Sequence, residues 1–315
     1  MTVPVTAPMT MPNASLRPNA LVNPLDTMEK ILDGATDLAA LPQVVMRVMD
    51  LTNDPKATAQ DLEKIIALDQ ALAARVLTLA NSSYYGLPRR VSTLREAVVF
   101  LGFKTLRNLA MTITTFNLFL GRADTPALAR RTLWRHSVDT AQCARVIVGL
   151  LHPATQEAVG ADQAYTCGLL HDIGKMALDQ SRHALFVAIT QISGAHHVRY
   201  SRIESEVLAF SHGQLGAGLA TRWNLPPMLC EAIAFHHTPR AAELNPKLTA
   251  TVCLANEIAH FLEDLPLPDE ATAQVALYES CREAMFPLRI SEDGLHTMTR
   301  ACRAEMDKGL SALAF

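Results

Sequence analysis

Two adjacent residues, His171 and Asp172, close an apolar stretch in Gly168-Leu169-Leu170-His171-Asp172-Ile173-Gly174-Lys175. An imidazole beside a carboxylate suits a divalent ion that accepts nitrogen and oxygen ligands together, such as Fe, Mn or Zn. Neighbouring side chains on a regular helix diverge by roughly 100°, so both reach one ion only where a helix ends. Gly174 supplies a permissive bend at that point. Taken alone, the pair reads equally as a helix C-terminus with a stabilising histidine. It has company, however. His136 lies in Leu133-Trp134-Arg135-His136-Ser137, His212 in Phe210-Ser211-His212-Gly213, and His236 and His237 in Ala234-Phe235-His236-His237-Thr238-Pro239. Each stands within or at the edge of an apolar, helix-patterned segment.

These residues are carried by a chain that reads as helical from Met28 onward. Val44, Val45, Val48, Met49 and Leu51 share one face of a helix opened by Leu41-Pro42, and Asn53-Asp54-Pro55 stops it, because a residue before proline avoids the helical region. Thr58 and Asp61 have capping-box spacing, with Leu62, Ile65 and Ile66 as the apolar stripe behind them. Asp69 caps a helix carrying Leu72, Val76, Leu77 and Ala80, followed by the turn-rich Asn81-Ser82-Ser83-Tyr84-Tyr85-Gly86. Thr93 and Glu96 start another helix, closed by Leu101-Gly102, and a long apolar helix runs from Phe103 to about Leu120. The segment from Gly121 to Pro126 separates two halves, and Thr125-Pro126 starts the next helix, with a capping side chain and then proline at the first helical position. That helix carries His136 and ends at His152-Pro153. Residues 157–170 lead into the His-Asp pair. Helices follow over residues 199–210, 213–223 and 245–264, and two more over about 269–285 and 291–312. No strand pattern and no internal repeat is present.

Composition bounds the function. The chain has 315 residues, 49% hydrophobic and 19% charged, with a net charge of −3. That supports a sizeable core in one large or two small domains and no nucleic-acid surface. A helix-turn-helix reading fails because the candidate recognition segment, residues 70–79, offers only Arg75 for phosphate, where several contacts are needed. The six cysteines, at 143, 167, 230, 253, 281 and 302, form no C-x-x-C pair, and read as buried free thiols in a reducing cytosol. Five prolines in residues 1–25 predict a disordered lead-in without the basic start and apolar run of a signal peptide. No run of about 18 apolar residues suggests a membrane span, so a cytoplasmic protein is expected.

The spacing of His136, the His171-Asp172 pair and His212 resembles the HD superfamily of metal-dependent phosphohydrolases. A closer resemblance lies in Leu41-Pro42-Gln43-Val44, Asp69-Gln70-Ala71-Leu72-Ala73-Ala74-Arg75-Val76-Leu77, Leu79-Ala80-Asn81-Ser82-Ser83-Tyr84-Tyr85-Gly86 and Ala97-Val98-Val99-Phe100-Leu101-Gly102. These look like the HDOD family, a non-enzymatic-looking relative found in bacterial signalling proteins. The resemblance covers roughly residues 38 to 260. It implies an all-α fold in which an N-terminal helical lobe packs on an HD-like helical bundle, with an HDOD domain over 26–265 (lobe 26–121, bundle 125–265); outside the resemblance lie the disordered lead-in over 1–25 and a helical extension over 266–315. For the extension, packing or a homodimer contact is the default expectation.

Carried over residue by residue, the resemblance makes His136, His171 and Asp172 metal ligands, with Asp172 able to bridge two ions. It adds His212, His236 and His237 as the extra histidines of the branch that cleaves cyclic dinucleotides, and Lys175 as a lysine meeting substrate phosphate. Two departures weaken catalysis. Asn256 stands after Ala255, where the pattern has a carboxylate, and Thr238-Pro239-Arg240 follows His236-His237 in place of a motif rich in glycine and tyrosine. An amide oxygen still coordinates, with less charge. Plainer roles stay open: His212 as a cap-region residue, His237 as a surface residue, Asn256 as a hydrogen-bond partner of His136, Lys175 as an exposed lysine. His152, His183, His196, His197, His260 and His296 match nothing and read as structural or exposed. The expected function is a bacterial signalling module of the HDOD type whose degenerate pocket holds at most about one transition-metal ion and which binds a partner protein or a nucleotide. The rival is a divalent-metal phosphohydrolase or phosphodiesterase acting on a nucleotide.

Overall fold

The structure is a computed structural model that describes residues 27–38, 43–54, 56–120, 127–196, 198–263 and 270–309. The proline-rich lead-in, the Leu41-Pro42 helix start, Pro55, the Gly121–Pro126 break with its Thr125-Pro126 cap, and His197 lie outside the described residues. Within them every regular element is helical, and no helix is long and apolar enough to cross a membrane.

Local capping chemistry sets the N-terminal lobe. It comprises α1 (Met28–Gly34), α2 (Gln43–Asn53), α3 (Ala59–Ala67), α4 (Gln70–Ala80), α5 (Leu94–Leu101) and α6 (Phe103–Leu120). At α3 the expected capping box is complete. The Asp61 amide donates to Thr58 Oγ1 at 3.3 Å, and the Thr58 amide donates back to Asp61 Oδ2 at 3.1 Å. Asp69 caps α4 by accepting from the Leu72 amide at 3.0 Å. Thr93 caps α5 through the Glu96 amide at 3.1 Å, while the Glu96 carboxylate accepts from the Ser92 amide at 2.8 Å. Gly102, at φ 80, closes α5 in a conformation that glycine adopts at little cost.

The bundle follows as α7 (Ala127–Leu150), α8 (Pro153–Val159), α9 (Ala161–Leu170), α10 (Ile173–Ser181), α11 (His183–His196), α12 (Tyr200–Val207), α13 (His212–Arg222), α14 (Pro227–Ala234) and α15 (Pro246–Glu263). The extension adds α16 (Glu270–Leu288) and α17 (Glu292–Met306). At the centre, α7 lies against α9 and α15, and α13 against α10 and α14. The lobe joins the bundle through α6, where Phe116 meets the fully buried Trp134 edge-on with centroids 5.2 Å apart, a pair worth about 0.5–1.5 kcal/mol beyond its buried area. Helix α1 lies on α10 and α13 with Ile31 fully buried, and Trp223 Nε1 donates to the Leu38 carbonyl at 2.9 Å.

The turn-rich stretch after α4 is a joint. The Asn81 amide brackets Val91, donating to its carbonyl at 2.8 Å and accepting from its amide at 2.7 Å. The Tyr84 hydroxyl donates to Glu305 on α17, and Arg145 on α7 reaches the same carboxylate at 3.1 Å. The C-terminal helices, for which the sequence offers no function, thus pack on α7 and α15 and tie back to the lobe. All six cysteines are free, and all but Cys230 are buried.

Candidate metal centre

The His-Asp pair occupies a break between helices. Leu170 ends α9, His171 is its C-cap, and Asp172, at φ −97 and ψ 6, is the N-cap of α10. That single non-helical step turns the two side chains toward one pocket, as the pair requires. Gly174 plays a different part from the expected bend: it lies inside the first turn of α10. Its task is proximity. A Cβ there would sit 1.9 Å from the His212 carbonyl oxygen and 2.7 Å from the Gly216 amide nitrogen, so only glycine lets α10 and α13 touch backbone to backbone. Gly168 does the same for α9 on α7, where a Cβ would fall 2.8 Å from the Ala141 Cα. These two contacts bring His136 on α7, the pair on the α9–α10 junction and His212 on α13 together.

Four histidines are set by the same device. The Nδ1 atom of His136 is 3.0 Å from Glu263 Oε2, that of His171 2.8 Å from the Gly168 carbonyl, that of His212 2.7 Å from Glu204 Oε2, and that of His236 2.7 Å from the Ile233 carbonyl. An oxygen at Nδ1 fixes the tautomer with the proton there and leaves the Nε2 lone pair for a metal, the arrangement that metal-bound histidines adopt; His136 is the exception, since Asn256 Oδ1, an acceptor, lies 2.9 Å from its Nε2. All four Nε2 atoms face one cavity around Asp172. Asp172 Oδ2 lies 3.5 Å from His171 Nε2 and 4.0 Å from His136 Nε2, while Oδ1 lies 3.1 Å from His212 Nε2 and 4.0 Å from His236 Nε2. His212 Nε2 is 3.3 Å from His236 Nε2 and 3.2 Å from His237 Nε2. Three atoms here, His171 Nε2, Asp172 Oδ1 and Asn256 Nδ2, are buried without a hydrogen-bond partner. Buried polar atoms are normally satisfied; of these, the His171 nitrogen and the Asp172 oxygen are lone-pair atoms, and with the convergent imidazole nitrogens around them they fit a divalent transition metal, whereas the Asn256 amide N–H is a donor and does not.

Electrostatics follow the same division. Burial opposes ionisation of Asp172, yet the nearby charges of His171 and Lys175 hold it well below the usual carboxylate range. Burial pushes His171 down to about 4 and lowers His236 and His237 as well, keeping them neutral, as ligands must be. For His136 and His212 burial acts in the same sense, but the Glu263 and Glu204 carboxylates and their neighbours outweigh it and raise both.

The HDOD domain model matches residues 38–239 of this chain. The chain belongs to the HDOD family. An HDOD domain protein of unknown function from Geobacter sulfurreducens superposes with a TM-score of 0.68 at 25% identity, over 91% of this chain and 97% of that one. A provisionally named phosphohydrolase from Shewanella amazonensis SB2B gives 0.69 at 24% identity, over 92% and 100%; at that identity it speaks for the fold. An uncharacterized protein of Treponema pallidum (strain Nichols) is 29% identical over 234 residues, 74% of this chain. The chain spans less than half the length of that relative, 44%.

Within this HDOD fold, the structure brings His136, His171, Asp172, His212, His236, His237 and Asn256 to one pocket. Asn256 Oδ1 lies 2.9 Å from His136 Nε2, the hydrogen-bonding role that the sequence leaves open for it. Lys175 is not an exposed lysine. It is 5% exposed and its Nζ donates to Asp172 Oδ2 at 2.6 Å, because residue 175 lies one turn from the capping residue on α10 and points back over it. His260, expected to be structural or exposed, stacks on His136 at the pocket edge with centroids 4.1 Å apart. Glu204 and Glu263 were not anticipated at all. One signal was readable for Glu263: Asn256, His260 and Glu263 recur at i, i+4 and i+7 on α15, which places them on one helical face. Glu204 reaches His212 across a turn between helices and has no such signal.

Proposed function

We propose that this HDOD protein is a signalling module whose pocket holds a divalent transition metal for structural or sensory use and which responds to a partner protein or a nucleotide without hydrolysing phosphate esters. Closure of the pocket carries this reading. His171, His212 and His236 are 0% exposed, Asp172 and Asn256 1% and His136 3%. Among the candidate ligands only His237 is half-buried. A bound ion of this type can activate a water and polarise a phosphoryl oxygen, but a substrate needs a path to it. The residues themselves also weaken that chemistry: Asn256 supplies no negative charge, and Lys175 already engages one oxygen of the single carboxylate.

A second reading, a phosphohydrolase or phosphodiesterase acting on a nucleotide, draws on a specific observation: four tethered imidazoles, a carboxylate and a lysine share one pocket, and a lysine beside a metal site can hold a phosphate. One experiment separates the two. Purified protein is analysed for metal and incubated with phosphomonoesters, phosphodiesters and cyclic dinucleotides. Bound metal without turnover is expected. Rapid hydrolysis that Asp172→Ala abolishes would establish the enzyme reading instead.

A further inference from the structure

Asp172 faces two unlike half-pockets. On the Oδ1 side stand His212, His236 and His237. His212 Nε2 is 3.2 Å from His237 Nε2 and 3.3 Å from His236 Nε2, close enough for the three imidazoles to share one ion, and Asp172 Oδ1 stands beside them, 3.1 Å from His212 Nε2 and 4.0 Å from His236 Nε2. On the Oδ2 side stand His136, His171 and Asn256, and this half already contains a cation. Lys175 Nζ is 2.6 Å from Oδ2 and 5.0 Å from the centre of the Tyr200 ring, so a carboxylate and an aromatic face both engage the ammonium. In the same half the Asn256 amide engages His136 Nε2 and the Glu263 carboxylate engages Nδ1, so both ring nitrogens of His136 have partners.

We infer that this is a one-metal pocket with a built-in second cation. The ion takes the half formed by Asp172 Oδ1, His212, His236 and His237, and the Lys175 ammonium takes the place of a second ion at Asp172 Oδ2, beside His136 and Asn256, leaving His171 Nε2 without a hydrogen-bond partner. The inference rests on the metal-holding reading above and locates the ion away from the His136-His171-Asp172 set on which the sequence centred it. The physical reason is charge. An ammonium repels a divalent ion placed beside it in a buried site, and the amide of Asn256 supplies none of the negative charge that a carboxylate would use to offset that repulsion. Lys175 neutralises Oδ2 as a second ion would, yet it is no Lewis acid. Two-metal phosphoryl chemistry is thereby excluded by a side chain of the protein itself.

The test counts metal. Full-length protein is stripped with chelator, equilibrated with Co²⁺ or Zn²⁺, and analysed by mass spectrometry, with Co²⁺ absorbance reporting the coordination. Wild type is expected to hold one ion. Lys175→Met keeps the apolar stem and removes the charge, and is expected to take up a second ion about tenfold or more tighter than wild type does. Lys175→Arg keeps a cation and stays at one. His237→Ala, at the half-buried edge, loses the ion, whereas His171→Ala retains it. Circular dichroism establishes that each variant is folded; should Lys175→Met unfold without metal, its rescue by two ions is the supporting result and its failure to be rescued the overturning one. A single ion on folded Lys175→Met, two on wild type, or loss of the ion from His171→Ala as complete as from His237→Ala would overturn the inference while leaving a metal pocket. No ion on any variant, wild type included, would overturn the metal-holding reading itself.

Discussion

Replacing Gly174 by alanine should pull the two halves of the site apart. The new Cβ would stand 1.9 Å from the His212 carbonyl oxygen and 2.7 Å from the Gly216 amide nitrogen, where ordinary contact begins at 3.4 Å. Both obstacles are backbone atoms in α13, so no side chain can swing aside. Helices α10 and α13 must separate by roughly 1.5 Å, and overpacking of this kind costs about 1–3 kcal/mol. Alanine recovers up to about 1 kcal/mol in helix propensity, which leaves a net loss of about 1 kcal/mol. For a chain of this length that lowers the thermal midpoint by about 1.5–2.5 °C. The site suffers more than the fold. Two atoms that share an ion at about 2.1 Å each cannot stand more than about 4.2 Å apart. Asp172 Oδ1 and His212 Nε2 are 3.1 Å apart, and the added separation carries them to roughly 4.6 Å, so retained metal should fall sharply. Thermal unfolding of metal-stripped protein reads the first effect and metal analysis the second. Gly149→Ala is the control, since nothing lies within 4 Å of a Cβ there, and it should stabilise by up to about 1 kcal/mol. If Gly174→Ala melted with wild type or as Gly149→Ala does, the backbone-contact argument would be wrong.

Two further substitutions test other joints. Glu231 accepts from the backbone amides of Glu243, Leu244 and Asn245 at 2.6–3.0 Å; burial acts against its ionisation, but these donors hold its carboxyl below the usual 4.5. A depressed carboxylate contributes stability that is present above the ordinary value and is lost as the pH falls through the folded value. Glu231→Gln should therefore cost about 1.5–3 kcal/mol near neutrality, and urea titrations should show the gap closing below about pH 4; a gap that is constant with pH would refute the assignment. Tyr84→Phe removes the hydroxyl that links the lobe to Glu305 on α17, and should cost about 1–2 kcal/mol in the same titration, with no change expected if the contact does not hold the C-terminal helices in place.

What the sequence determined was local. The caps at Thr58, Asp69 and Thr93, the glycine stop at Gly102 and the apolar stripe of α3 follow from interactions within a few residues, and such interactions hold whatever the rest of the chain does. The ligand candidates were legible too, because His, Asp and Asn at helix edges are informative by residue type. Distance was not legible. That Gly174 is a contact and not a bend depends on where α13 lies. That Lys175 turns inward onto Asp172, and that His260 stacks on His136, depends on how α10 and α15 rotate about their axes. The tethers on Nδ1 divide in the same way: Gly168 and Ile233 are three residues before the histidines they hold, whereas Glu204 reaches His212 across a turn and Glu263 reaches His136 from a different helix, 127 residues away in sequence. A sequence fixes which groups are available and which local turns they cap. Which nitrogen faces which oxygen is decided by helix packing, since close-packed interiors convert shifts of an ångström into contact or its loss.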